Sequence, residues 1–180
     1  MNTKHIILAI LLIGFSKVRA QTIFKTQEGH ILMMALQDDQ SVKAESHKLS
    51  LFLHYDSKTL NGVLDLKTLT TDIPEINTLL AAEEEPLILR FIGDIPSIDF
   101  LSKIHDPIDF NWWVTITYKN NTYKSPFKAT IIHIYQGTDM SCIISARGQV
   151  LVSDTGLNNV IPNLGESIEI EFAQMVLRLQ

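Results

Sequence analysis

His105, Asp106 and Asp109, with Asp99 just upstream, are the nearest this sequence comes to a metal-binding cluster. Imidazole and carboxylate suit borderline and hard cations, but no third ligand follows at a diagnostic spacing. There is no HExxH, no paired cysteine and no acidic calcium loop, so no metal is predicted. Ser46, His47 and Asp56 supply nucleophile, base and acid types. No glycine elbow holds the serine, however, and adjacent strand residues point to opposite faces. Asp154-Thr155-Gly156 reads as a turn, and Glu83–Glu85 as a solvated charge run beside a helix end. Gly137, Gly148, Gly156 and Gly165 are spaced as turn residues, which excludes a phosphate-cradling loop. The residues point away from an enzyme and from any cofactor.

His133 differs in kind, because it falls in phase with Phe127, Ala129, Ile131 and Tyr135 on one face of a strand. It reads either as a hydrogen-bonded wall residue or as a polar contact for a ligand headgroup in a greasy cavity. The other candidates are wholly apolar. In Ile108–Tyr118 (IDFNWWVTITY), Phe110, Trp112, Val114 and Ile116 share a face, and Trp113 takes the opposite one. Leu49, Leu51, Leu53 and Tyr55 share a face in the same manner. Leu49, Leu51, Leu53, Phe110, Trp112, Val114, Ile116, Ile131 and His133 therefore form the candidate ligand-binding wall. Such side chains either fill a small barrel or surround one ligand, and composition leaves both readings open.

The elements that must position this wall are mostly strands. Thr22–Lys25 and Ile31–Leu36 are opening strands parted by a turn at Glu28-Gly29-His30. Lys43–Asp56 and Leu60–Leu66 follow, with Asn61-Gly62 as a bulge or irregular entry. Pro74–Ala82 is the one helix, capped by Thr71 or Asp72, with Ile73, Ile76, Leu79 and Leu80 as its apolar stripe. Leu87–Ile92, Ile108–Tyr118, Phe127–Tyr135, Met140–Ala146, Gln149–Ser153 and Ser167–Leu179 complete the set. The last strand turns apolar on its second face past Ala173, which means burial on both faces or a bulge. Helices are too few for parallel crossovers, and long strands favour an antiparallel barrel over a sandwich.

Met1–Ala20 reads as a cleavable signal peptide: Lys4, then the apolar run Ile6–Phe15, then Val18-Arg19-Ala20 before Gln21. An uncleaved anchor is the alternative, although ten apolar residues are short for a membrane span. Residues 21–180 are then one domain with no integral membrane segment. Loss of Lys4, Lys17 and Arg19 takes the formal charge from −5 to −8. With no basic run left, nucleic acid is excluded as a partner. A single cysteine, Cys142, rules out an internal disulfide and reads as a small buried hydrophobe.

Taken together, these segments resemble the YceI-like proteins. The likeness runs through Gly29-His30-Ile31, Val42-Lys43-Ala44-Glu45-Ser46, Leu64-Asp65-Leu66 and Pro126-Phe127-Lys128-Ala129-Thr130. It ends with Asp154-Thr155-Gly156-Leu157 and Leu164-Gly165-Glu166-Ser167-Ile168-Glu169-Ile170. The resemblance implies an all-β fold, an antiparallel lipocalin-like β-barrel of about eight strands with one short helix. It also implies a periplasmic or secreted, non-enzymatic protein that binds a hydrophobic small molecule or lipid, such as a polyisoprenoid. The family's polar segment after the helix is replaced here by Ala81-Ala82-Glu83-Glu84-Glu85-Pro86-Leu87. A homodimer is compatible with this reading. The alternative is an exported structural or interaction domain whose barrel is filled by its own side chains.

Overall fold

Alternation of apolar and polar residues makes long strands, and the computed structural model describes them over residues 23–96, 105–136 and 139–179. The leader and Asp99 lie outside the described residues. The strands are β1 (Ile23–Gln37), β2 (Gln40–His54), β3 (Thr59–Asp65), the two-residue β4 (Thr70–Thr71), β5 (Ile88–Asp94), β6 (Ile108–Tyr118), β7 (Asn121–Gln136), β8 (Asp139–Leu151) and β9 (Leu164–Leu179). Two α-helical segments, α1 (Pro74–Ala82) and the single turn α2 (Val152–Thr155), and two 3-10 turns, Leu66–Thr68 and Leu157–Asn159, join them. Eight strands pair in the cyclic order β1-β2-β3-β5-β6-β7-β8-β9, every pair antiparallel. The β1–β9 pairing closes the ring, and β4 adds a short rung to β2 at Ala44 and Glu45. Closure leaves no long unpaired edge to template association.

Several local expectations change. Glu28-Gly29-His30 is not a turn: β1 is continuous, with two register shifts around Gly29. These irregularities bend the strand without ending it. Asn61 and Gly62 sit in regular register between β2 and β5, with Leu51 and Phe91 packed against Gly62. Arg147-Gly148 does not break β8, because Gly148 pairs with Phe127 inside the ladder. The change of phase in β9 is a bulge: Ile144 pairs with Met175, but Ala146 pairs with Phe172. Ile168, Ile170 and Phe172 face inward before it, and Met175 and Leu177 after it. Helix α1 spans the expected residues but has Ile73 as an uncapped N-cap. Thr71 instead accepts from Ile73 N and donates to Ile73 O, making a local turn.

The two ends of the barrel differ in chemistry. At one, α1 and the stretch from α2 to Leu164 lie across the opening. At the other, β2, β5 and β7 end, and β6 enters from Ile108.

Candidate functional site

The end of the barrel under α1 holds a cavity lined solely by apolar side chains and the partly apolar Thr71. Met33 and Ala35 of β1 and Val42 and Ala44 of β2 form one wall. Leu66 and Leu69 flank it, Ile168 lies below, and Leu157, Ile161 and Leu164 form the opposite rim. Ile76 and Leu80, one helical turn apart on α1, are the two buried residues of the helix and close the top. The cavity is small, about 50 Å³, and opens to solvent at its mouth.

Helix α1 is fastened along one side. Asn77 accepts from Thr71 N at 2.8 Å and donates to Thr71 O at 2.9 Å. At its C-terminal end, Lys67 Nζ donates to Glu83 O, and Lys119 Nζ lies 3.9 Å from the Glu83 carboxylate. No basic residue in its last turn complements the helix dipole, and Glu83–Glu85 follow directly. Over the cavity itself the helix contributes Ile76 and Leu80.

Below the cavity the bore is packed. Ring centroids of Phe91 and Phe172 lie 5.1 Å apart in an edge-on contact, and Trp112 sits 5.8 Å from Phe172 and 6.0 Å from Phe127. Phe127 stacks on Phe172 at 5.9 Å. Eight of the nine wall residues expected from the sequence (Leu49, Leu51, Leu53, Trp112, Val114, Ile116, Ile131 and His133) are inward and buried as predicted. Phe110 is half-buried against the same core. None of the nine lines the cavity under α1; they pack in and around the centre and far half of the barrel. Trp113 is 61 % exposed, confirming its outward phase.

The far end carries the polar residues. Tyr55 and His133, both buried, are hydrogen-bonded through the phenol and Nε2. His133 Nδ1 lies 2.7 Å from His105 Nε2, and His105 Nδ1 lies 2.7 Å from the Asp106 carbonyl. That carbonyl can only accept, so with both rings neutral the direction of the chain is fixed. Tyr55 O–H donates to His133, His133 N–H to His105, and His105 N–H to Asp106. Burial, and secondarily the neighbouring His105, pushes His133 down to about 4. Burial likewise raises the Tyr55 phenol above its ordinary range and the Cys142 thiol to about 12. His133 is thus a hydrogen-bonded wall residue. Asp109 takes no part in this chain and accepts from Thr130 at 2.6 Å.

The remaining catalytic suspects disperse. Ser46 points inward to the Thr68 hydroxyl at 2.7 Å, whereas His47 points outward and stacks on His30. Thr155 donates to Val152 O and accepts from Leu157 N, within its turn. Among the described residues no three His, Cys, Asp or Glu side chains are grouped to hold a metal, and no helix is long and apolar enough to cross a membrane. The cavity was not named from the sequence. Its lining comes from seven separate segments, and only the Ile76/Leu80 stripe gave a local signal.

No family model and no curated protein matches the chain. Among solved structures it is similar to a polyisoprenoid-binding domain from Saccharophagus degradans implicated in plant cell wall breakdown. The TM-score is 0.67 over 89 % of this chain and 100 % of that one, at 8 % identity. The resemblance to the YceI-like barrels read from the sequence is thereby met at the level of fold.

Proposed function

We propose that this protein is an exported, non-enzymatic carrier that takes the hydrocarbon chain of a polyisoprenoid or another long-chain lipid under α1. The apolar cavity beneath that helix carries the reading, supported by the fold it shares with a polyisoprenoid-binding domain. Admitting a chain means withdrawing Ile76 and Leu80, at about 1.5–3 kcal/mol for each side chain fully exposed. A buried methylene returns roughly 0.8 kcal/mol, so about four to eight methylenes offset the opening. Short molecules therefore bind poorly and long chains well. The leader read over Met1–Ala20 supports a periplasmic or secreted location for this carrier.

The dense aromatic centre favours one other reading, an interaction domain whose barrel is simply full. Native mass spectrometry of protein purified from its own compartment, followed by organic extraction, separates the two. A discrete lipid adduct supports the carrier. Protein that arrives empty and takes up neither prenols nor fatty acids overturns it.

A further inference from the structure

Resting on that reading, we propose that Trp112, Phe91, Phe127 and Phe172 form a chain-length stop. A hydrocarbon entering under α1 is held in the α1 half of the barrel, and the interior is a blind pocket and not a tunnel.

Position comes first. In the cyclic strand order β5 and β9 lie four places apart among eight strands, so the Phe91–Phe172 contact bridges opposite walls. Trp112 and Phe127 fill the arc between them from β6 and β7, and Leu51 closes on Phe91 from β2 over Gly62. All five side chains are at most 1 % exposed.

Rigidity comes second. Ile31 pairs with Phe172 and Ile116 with Phe91, so buried aliphatic side chains ring this layer, and Ile170 alone separates Phe172 from the cavity-lining Ile168 along the inward face of β9. Two of the aromatic rings lie directly on main chain, which holds them in place. A Cβ placed on Gly93 would fall on Trp112 Nε1, and one on Gly148 would fall on the Phe127 ring. Trp112 Nε1 has no hydrogen-bond partner among the described residues. Leaving a buried donor unpaired is unfavourable, so packing and not polarity fixes the indole there.

Depth then sets the length. Eight residues of β9 separate Leu164 at the rim from Phe172. At about 3.3 Å per residue and a tilt near 40°, that is roughly 20 Å along the barrel axis. With bonds of about 1.5 Å and tetrahedral angles, an extended hydrocarbon advances about 1.25 Å per bond, so about sixteen bonds reach the stop. The class of ligand wholly enclosed is a single chain of about seventeen carbons, or about four isoprene units; anything longer leaves its surplus outside the mouth.

The test is a competition series of saturated fatty acids from ten to twenty-four carbons against a fluorescent acyl probe. It is run on the wild-type protein, Trp112→Leu and Phe91→Leu. In the wild type, affinity is expected to climb with length and level off near seventeen carbons. In either variant it should keep climbing, to at least tenfold tighter than wild type at twenty-four. The wild-type break alone tests the stop should one variant not fold. A wild-type series that climbs unbroken to twenty-four, or folded variants that keep the wild-type break, overturns the stop while leaving the carrier intact. Absence of binding at every length overturns the carrier and the stop together.

Discussion

Ala44→Leu should make the protein more stable and a poorer binder at once. Ala44 stands on β2 at the cavity wall, half-buried, with its Cβ facing the void between Val42, Leu69 and Ile76. Leucine adds three carbons in that direction. Filling the roughly 50 Å³ of truly empty space, at about 24 cal/mol per Å³, gives at most about 1.2 kcal/mol of added stability. For a chain of this size that is a rise in melting temperature of roughly 2–4 °C. The same three carbons occupy the place of two or three ligand methylenes, worth about 0.8 kcal/mol each, so binding should weaken by about 2 kcal/mol, roughly thirtyfold. Differential scanning calorimetry reads the first effect, and titration with palmitate or farnesol reads the second. Lys43→Leu, one residue away on the outer face, is the control and should alter neither binding nor stability by more than about 0.5 kcal/mol. A stabilised Ala44→Leu protein that binds as well as wild type would show that the chain does not lie under α1. A destabilised one would show that the void is not there to be filled.

Three further outcomes follow from the packing. Because His133 is held near 4 in the folded protein and near 6.5 when unfolded, the unfolded chain binds more protons between those values. Stability is therefore full above about pH 6.5 and falls as pH drops toward 4; with solvent screening allowed for, denaturant midpoints should show about 1 kcal/mol lost by pH 5 that His133→Gln does not lose. An equal loss in both proteins refutes the assignment. Cys142, buried and raised to about 12, should resist an aromatic disulfide reagent at pH 8 in the native state and yield one thiol in guanidinium; rapid native labelling would contradict its burial. Gly93→Ala should cost about 1–3 kcal/mol, because its Cβ would also lie 2.5 Å from the Trp113 carbonyl, a main-chain atom that cannot step aside. An unperturbed melting temperature and near-ultraviolet dichroism spectrum would refute the fixed position of the indole.

Sequence alternation was enough for the barrel and for the phase of its walls. Phe110, Trp112, Val114 and Ile116 turn inward and Trp113 outward because period two is a local property that survives closure. Irregular strands were harder to read. Gly29 and Gly148 look like turn residues, yet each serves a close approach inside a continuous strand, which only the neighbouring strand reveals. The same limit applies to the site. Trp112 is the most conspicuous apolar residue in the chain, but whether an inward tryptophan walls a tunnel or blocks it depends on Phe91 and Phe172, which arrive from opposite strands. The Tyr55–His133–His105 chain was equally hidden, since its members lie 78 and 28 residues apart.

If the protein is the carrier proposed above, the contrast between the two ends decides where a hydrocarbon would enter. At the far end, opening the barrel beside Tyr55 and His133 would break the buried Tyr55–His133 hydrogen bond, leaving its donor and acceptor unpaired at about 1–3 kcal/mol, and would disturb the part-buried His133–His105 bond. A hydrocarbon has no groups with which to replace those partners, so that loss stands in the bound state. At the α1 end, Ile76 and Leu80 leave apolar neighbours and can settle again on an apolar ligand, so their exposure is largely recovered once the chain is in place. The Asn77–Thr71 pair, two hydrogen bonds to the main chain of Thr71, would keep the helix attached at one side if it lifted. Entry under α1 is thus favoured. Substituting Asn77 by alanine, which loosens that hinge while leaving the cavity lining intact, should speed both uptake and release in stopped-flow measurements with a fluorescent fatty acid. If entry lay beside His105 instead, those rates would be unchanged.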